Sequence, residues 1–268
     1  MIFLGIVLIC ISGGLAVGYV FKKKKLMLIE STETSTVEFL QSLAQSMKDG
    51  VGENSLHYFT EVKGNVICND PLTSEIAQTK CVYYSMSIDR QYEEVYYERD
   101  QQGKQHKRTR SAYETVATNT RKVPFEVEDS TGKISINPEG AELISEKIIS
   151  RFEPAKSHSN NMLRIGNMSF NLNVPMFTGD RKTLGYRIEE HAILTGKNIY
   201  VLGDATDQYG QLCIQRPTEK NKKFIISVKG EEELLREEKL HSMLMLIFGI
   251  LCAIGGIGVL VYQVVLLK

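Results

Sequence analysis

Cysteine, catalytic histidine signatures and net charge are what this sequence is short of. Five cysteines are spread over 268 residues: Cys10 and Cys252 lie in the apolar ends, and Cys68, Cys81 and Cys213 stand far apart. No disulfide framework fits that spacing, and it suits a reducing compartment. The 32 Lys and Arg are matched by 32 Asp and Glu, so no bulk attraction to nucleic acid is expected. His57, His106, His158, His191 and His241 are isolated, and no HExxH, Walker A, Rossmann fingerprint or Gly-x-Ser-x-Gly elbow accompanies them. Each histidine reads as a surface or structural residue, and no metal or cofactor is expected.

What the chain does have is two long uncharged runs. Ile2 to Phe21 carries no charge, and at ~1.5 Å per residue it spans a ~30 Å hydrocarbon core. Met243 to Leu267 does the same, and neither run shows the polar stripe of a core helix. A cleaved signal peptide fits the first run poorly, because Lys22-Lys23-Lys24-Lys25 occupies the place of a small-residue cleavage site. The division is therefore a first transmembrane helix over 1–21, a soluble domain over 22–242 and a second transmembrane helix over 243–267. Basic residues flanking a span stay on the cytoplasmic side. That predicts an integral membrane protein with the N-terminus out, the domain cytosolic and the C-terminus, with Lys268, out. Gly14 with Gly18, and Gly249 with Ala253 and Gly256, are spaced for close helix approach, so the spans are expected to pack on each other or on a second copy.

Between the spans the text is mostly strand. After a strand-like Leu26 to Ile29, Ser35 and Glu38 make a capping-box pattern. Val37, Leu40, Ala44, Met47 and Val51 then recur at helical spacing up to Gly50 and Gly52. That face packs on its own domain or lies on the lipid surface. Alternation follows in Phe59, Val62, Val66 and Ile67, then in Cys81 to Ile88 and Tyr92 to Tyr97. Gln101 to Arg110 reads as a basic hairpin tip or exposed loop, and Ser130 to Gly132 as a turn where glycine permits positive φ. A short helix is predicted from Asn137 through Ile149, and Ser157 to Asn161 as a polar link. Strands resume at Tyr186 to Leu194, Asn198 to Leu202, Gln211 to Gln215 and Phe224 to Val228. Turns separate them at Thr195 to Lys197 and Tyr209-Gly210. Glu232 with Arg236, and Leu234 with Glu238, predict one helix from Glu231 through Leu266. The fold class is α+β, mostly β: two small β units, barrel-like and bridged by short helices, flanked by two transmembrane helices.

Several phrases in this order resemble the BAM domain, also called GIDE. They are Val62-Lys63-Gly64-Asn65-Val66 with Pro71-Leu72, Cys81-Val82-Tyr83-Tyr84, Pro124 to Ile134, Gly185-Tyr186 with Glu189, Val201-Leu202-Gly203, and Phe224 to Ser227 before Glu231-Glu232. The resemblance runs from Lys22 to Lys239. It implies a module beside a membrane, known from mitochondrial and chloroplast membrane E3 ubiquitin ligases and from bacterial and archaeal relatives. In the ligases a RING finger follows the second span. A RING needs eight Cys or His ligands in paired spacings, and these 268 residues hold no such set. The expectation is a prokaryotic-type member in a cytoplasmic membrane, without ligase activity of its own.

The resemblance singles out Cys81, Tyr83, Tyr84, Pro124, Phe125, Asp129, Gly132, Gly185, Tyr186 and Glu189 as binding positions. From the residues alone, Cys81 heads an apolar strand and reads as a small buried hydrophobe. Asp129 and Gly132 read as turn residues, and the tyrosines as core or groove aromatics. Three functions compete: a membrane-tethered binding or scaffold module for a protein or peptide partner, a substrate-recognition component of a ligase whose RING lies on another chain, and a membrane hydrolase built on Cys81, Asp129 or a histidine.

Overall fold

A computed structural model describes residues 2–52, 54–155, 162–165, 168–171, 177–178 and 180–266. The expected link at Ser157 to Asn161, His158, Leu267 and Lys268 lie outside these residues. Helices are α1 (Ile2–Ser31), α2 (Val37–Gly50) and α3 (Glu231–Leu266). Strands are β1 (His57–Ile67), β2 (Leu72–Thr73), β3 (Lys80–Arg99), β4 (Gln105–Lys122), β5 (Phe125–Glu128), β6 (Lys133–Ile136), β7 (Glu142–Ile144), β8 (Glu146–Pro154), β9 (Met162–Ile165), β10 (Met168–Asn171), β11 (Phe177–Thr178), β12 (Arg181–Leu194), β13 (Asn198–Thr206), β14 (Cys213–Gln215) and β15 (Ile225–Ser227). The fold is strand-rich, with an apolar helix at each end. Contacts divide it into one unit of Met1–Lys63, Glu139–Leu143 and Ile199–Lys268, and another of Gly64–Pro138 and Ile144–Asn198.

In the first unit, α1 and α3 are long and apolar enough to cross a membrane. They pack on each other at glycines. A Cβ on Gly256 would lie 3.0 Å from Gly5 O and 2.9 Å from the Ile9 side chain, whereas one on Gly13 or Gly14 would meet nothing within 4 Å. Both helices continue past their apolar stretches. Leu26 to Ile29, expected as a strand, is the end of α1: nothing in the sequence breaks the helix there, and Ile29 is buried. α3 runs unbroken from Glu231, as its charge spacing predicts. The cap of α2 is shifted by one residue. The Thr36 hydroxyl accepts from Phe39 N–H, while the buried Ser35 hydroxyl accepts from Thr60 at 2.7 Å. Of the apolar face of α2, Val37 and Leu40 are buried and Val51 is exposed. β13 is buried from Ile199 to Thr206 and pairs with β14 and β15.

In the second unit β3 is the central strand. β12 pairs along one side of it and β4 along the other, and β8 continues the sheet beyond β12. Alternation builds the core side: Tyr84, Met86, Ile88 and Tyr92 of β3 are buried with Ile188 and Ala192 of β12. β5 and β6 form the expected hairpin. Its turn uses no positive φ at Gly132; the Asp129 carboxylate accepts from the N–H groups of Thr131 and Gly132 instead. Two further expectations are corrected. The helix over Asn137 to Ile149 is absent, because Gly140 turns at φ +76° and Glu146–Pro154 is recruited as a strand by β12. The stretch Gln101 to Arg110 does hold the hairpin tip, a tight turn that includes Lys104 and is closed by Asp100 N–H to Lys104 O at 3.0 Å, but the tip is shorter than expected: β4 begins at Gln105, so Lys107, Arg108 and Arg110 are strand residues.

Candidate functional site

The sheet β8–β12–β3–β4 gathers the chemically active side chains of the second unit. On the core side, beyond the apolar rows, β3 runs Arg90, Tyr92, Glu94, Tyr96 at strand period, and neighbours on β4 and β12 complete each row. The Glu94 carboxylate accepts from Arg110 Nε at 2.9 Å, Arg110 Nη2 at 2.6 Å and Arg181 Nε at 2.8 Å. Register explains this, since Glu94 stands directly opposite both arginines. Arg181 and Arg90 cover the Tyr92 ring at 5.0 and 5.2 Å, and Arg110 covers Tyr96 at 5.6 Å. Arg90 is buried, with Thr183 accepting from its Nε at 2.8 Å and Glu114 from its Nη1 at 3.0 Å. The bonds from Arg110 first, then Arg181, hold Glu94 below the usual carboxylate range and raise both guanidiniums.

The other face carries Arg187, Glu189 and His191 of β12 beside Asp89, Ser87 and Ser85 of β3. Arg187 lies over the Tyr113 ring at 5.3 Å. Glu189 accepts from Lys147 at 3.0 Å, and that bond lowers its pKa. Tyr96, Tyr97, Tyr113 and Phe152 are exposed around this sheet.

The sequence-derived positions distribute as follows. Cys81 and Tyr84 meet in one buried cluster with Ala192. Burial first, and the Glu190 carboxylate second, push the Cys81 thiol up to about 11. Burial also raises Tyr84, whose hydroxyl accepts from Asn119 at 3.2 Å. Tyr83 is half-buried opposite Ile193 and Lys122. Tyr186 packs on Met86, Ile88 and Ile188, and burial raises its pKa. Gly185 is a close-approach glycine: a Cβ there would stand 2.4 Å from the Phe152 ring and 2.6 Å from Glu153 O. Gly64 is the same, with Glu128 O 2.4 Å from its ideal Cβ. Glu189 is on the outer face. Phe125 is buried at the start of β5, Pro124 accepts from the Cys68 thiol at 3.8 Å, and Asp129 and Gly132 make the β5–β6 turn. The ten positions therefore form no single pocket. Cys81, Tyr84 and Phe125 belong to the core, and Glu189 alone offers a charged group on the outer face.

Sequence reasoning missed Arg90, Glu94, Arg181 and Glu190. The signal for Glu94 was the period-two run of tyrosine and charge in β3. For Glu190 it was parity, a carboxylate on the buried side of Ile188 and Ala192. Glu190 is fully buried and accepts from Ile76 N–H at 2.9 Å and Ala77 N–H at 2.7 Å, which pins the loop before β3.

The first unit has its own buried polar group. Glu61 accepts from Thr34 and from Lys63 at 3.0 Å, and Lys63 also reaches Glu231, the first residue of α3, at 2.8 Å. Burial opposes the Lys63 charge, and the bonds to Glu231 and Glu61 outweigh it, so its pKa is raised. Burial and then the neighbouring Glu61 carboxylate raise Tyr200 far above the ordinary phenol value. Among the described residues no group of three or more His, Cys, Asp and Glu side chains is placed to hold a metal ion.

Compared with known proteins, residues 93–261 match the family GIDE, described as E3 ubiquitin ligase. The match starts in β3 and ends inside α3, covering more than half of the chain. No curated protein and no solved structure matches it. With the match running from the charged end of the central strand into the second apolar helix, the chain belongs to the GIDE family.

Proposed function

We propose that this protein is a membrane-anchored binding module whose β-sheet surface recognises a protein or peptide partner. The observation that supports it is the sheet β8–β12–β3–β4, where exposed tyrosines and arginines occur together at a strand edge. These residue types are enriched where protein partners bind. Lys22 to Lys25 beside the first span favour a domain on the cytosolic side, with both termini out. The family name supports a second reading, in which the sheet selects substrates for a ligase whose RING is on another chain.

The test is a photo-crosslinking amino acid placed at Tyr113 or Arg187 in the full-length protein in its own membrane. A discrete cross-linked protein, lost when the crosslinker is moved to the Asp129 turn, is the expected result. Absence of any adduct from the sheet positions would remove the reading. An impermeant thiol reagent, applied to intact cells carrying one cysteine at Gly103, or one after Lys268, checks orientation. Labelling at Gly103 from outside would reverse the lysine argument. For the second reading, a reconstituted ubiquitylation assay indifferent to this chain would count against it.

A further inference from the structure

The open edge of β4 is the part of the sheet least accounted for. β4 is 18 residues long and, among the described residues, pairs only with β3. Two backbone hydrogen bonds fix which of its groups face β3. Asp100 N–H donates to Lys104 O at the tip, and Val123 N–H donates to Val82 O at the far end. Hydrogen-bonded pairs alternate in an antiparallel ladder. Counting from the tip, His106, Arg108, Arg110, Ala112 and Glu114 turn their N–H and C=O groups to β3. Counting from Val123, Arg121, Asn119 and Ala117 do so. The two counts agree because the register shifts between Ile88 and Asp89, leaving Val116 as an extra residue. Gln105, Lys107, Thr109, Ser111, Tyr113 and Thr115 therefore aim their backbone groups at the open edge.

From Gln105 to Ser111 every residue of this strand is exposed. A flat open edge is a template for another strand. From Gln105 to Tyr113 it carries Lys107, Arg108 and Arg110 and no carboxylate. Arg110 is held by Glu94, and Arg108 stands 3.5 Å from Glu98. Lys107 is exposed and meets no carboxylate among the described residues. A second copy of β4 would set like charges against like, which is unfavourable across a strand pair. We infer that the β4 edge between Gln105 and Thr115 binds an extended, glutamate- or aspartate-rich segment of a protein partner by strand addition. This rests on the binding-module reading and gives it an occupant. Backbone groups of the six edge-facing residues supply the hydrogen bonds, and Lys107 and Arg108 select acidic side chains. The bulge at Val116 ends the regular stretch.

The test uses the full chain in lipid nanodiscs and a nine-residue peptide rich in glutamate and valine, against the same peptide with lysine for glutamate. The glutamate peptide is expected to slow amide exchange across residues 105–115 and to bind ~10-fold or more tightly than the lysine peptide at low salt. Ser111→Pro removes an N–H that the β3–β4 ladder does not use, so it should keep the parent melting temperature and lose peptide binding ~10-fold or more. Lys107→Glu with Arg108→Glu should invert the preference between the peptides. Equal binding by parent and Ser111→Pro, or no peptide binding at all, overturns strand addition. Equal affinity for both peptides overturns the acidic partner. Either failure, alongside cross-links at Arg187 that persist, leaves the binding module in place with its partner on the outer face.

Discussion

At the scale of single residues, chemistry is set by which side of a strand a group occupies. Glu94 and Glu190 lie on the same kind of strand and do different things. Glu94 ends as a surface clamp, and its depressed pKa means the clamp is complete above the ordinary carboxylate range and is lost as pH falls through the lowered value. Amide exchange in the outer half of the β3–β4 hairpin should accelerate in that acid window, and Glu94→Gln should show the fast exchange already at neutral pH. Glu190 pairs with no cation among the described residues and serves the N–H groups of half-buried Ile76 and Ala77. Glu190→Ala leaves those donors unpaired and should cost about 2–4 kcal/mol in denaturant unfolding. Cys81 is buried, as the sequence suggested, and its thiol is raised to about 11. At neutral pH a maleimide should label the half-buried Cys68 and spare Cys81 in the folded protein. Labelling of Cys81 would reopen thiol chemistry.

Elements form where local pattern and tertiary demand agree. The apolar spans are legible from composition, because a helix is the only way a single such segment satisfies its backbone in lipid. Their contact surface is not, because Gly14 and Gly256 look alike in sequence. Gly256 faces Gly5 and Ile9, and Gly14 faces open space. Gly256→Val should part the two helices and lower the melting temperature in detergent, and Gly14→Val should leave it unchanged; equal effects would place the contact elsewhere. The β3–β4 hairpin was legible as alternation, but its length was hidden by the polarity of Gln105 to Arg110. Those residues are strand because β3 offers them a continuous ladder, not because their side chains are apolar. Residues 137–149 mislead for the same reason. Their spacing suits a short helix, yet the free side of β12 takes Glu146–Pro154 as a strand.

For the whole molecule, the question is how the spans meet the β structure. Past its uncharged stretch α1 continues as a helix from Lys22 to Ser31, about 15 Å, and α3 does so from Glu231 to Ser242. Ion pairs tie these extensions together: Glu238 with Lys22 at 2.7 Å and Lys25 at 3.0 Å, and Lys239 with Glu30 at 2.5 Å. Lys63 links β1 to Glu231 at the head of α3. The lysines read from sequence as an orientation signal are thus also half of a clamp within the first unit. Glu238→Lys puts three cations together and should cost about 1–3 kcal/mol, read as a lower melting temperature in detergent. Adding Lys25→Glu should restore part of it, and no change in either variant would show the clamp to be idle.

The sequence by itself determined the two apolar helices, the β-rich middle, the continuous helix from Glu231 and the family. All of these rest on local composition, period or ordered phrases. Only the tertiary structure decided that Glu94 sits between Arg110 and Arg181, that buried Glu190 holds the loop before β3, and that β4, among the described residues, pairs only with β3. Those depend on strand register, and a one-residue slip turns every side chain to the other face. Register is fixed by pairing between residues as far apart in sequence as Cys81 and Leu194, which no local reading of the chain contains.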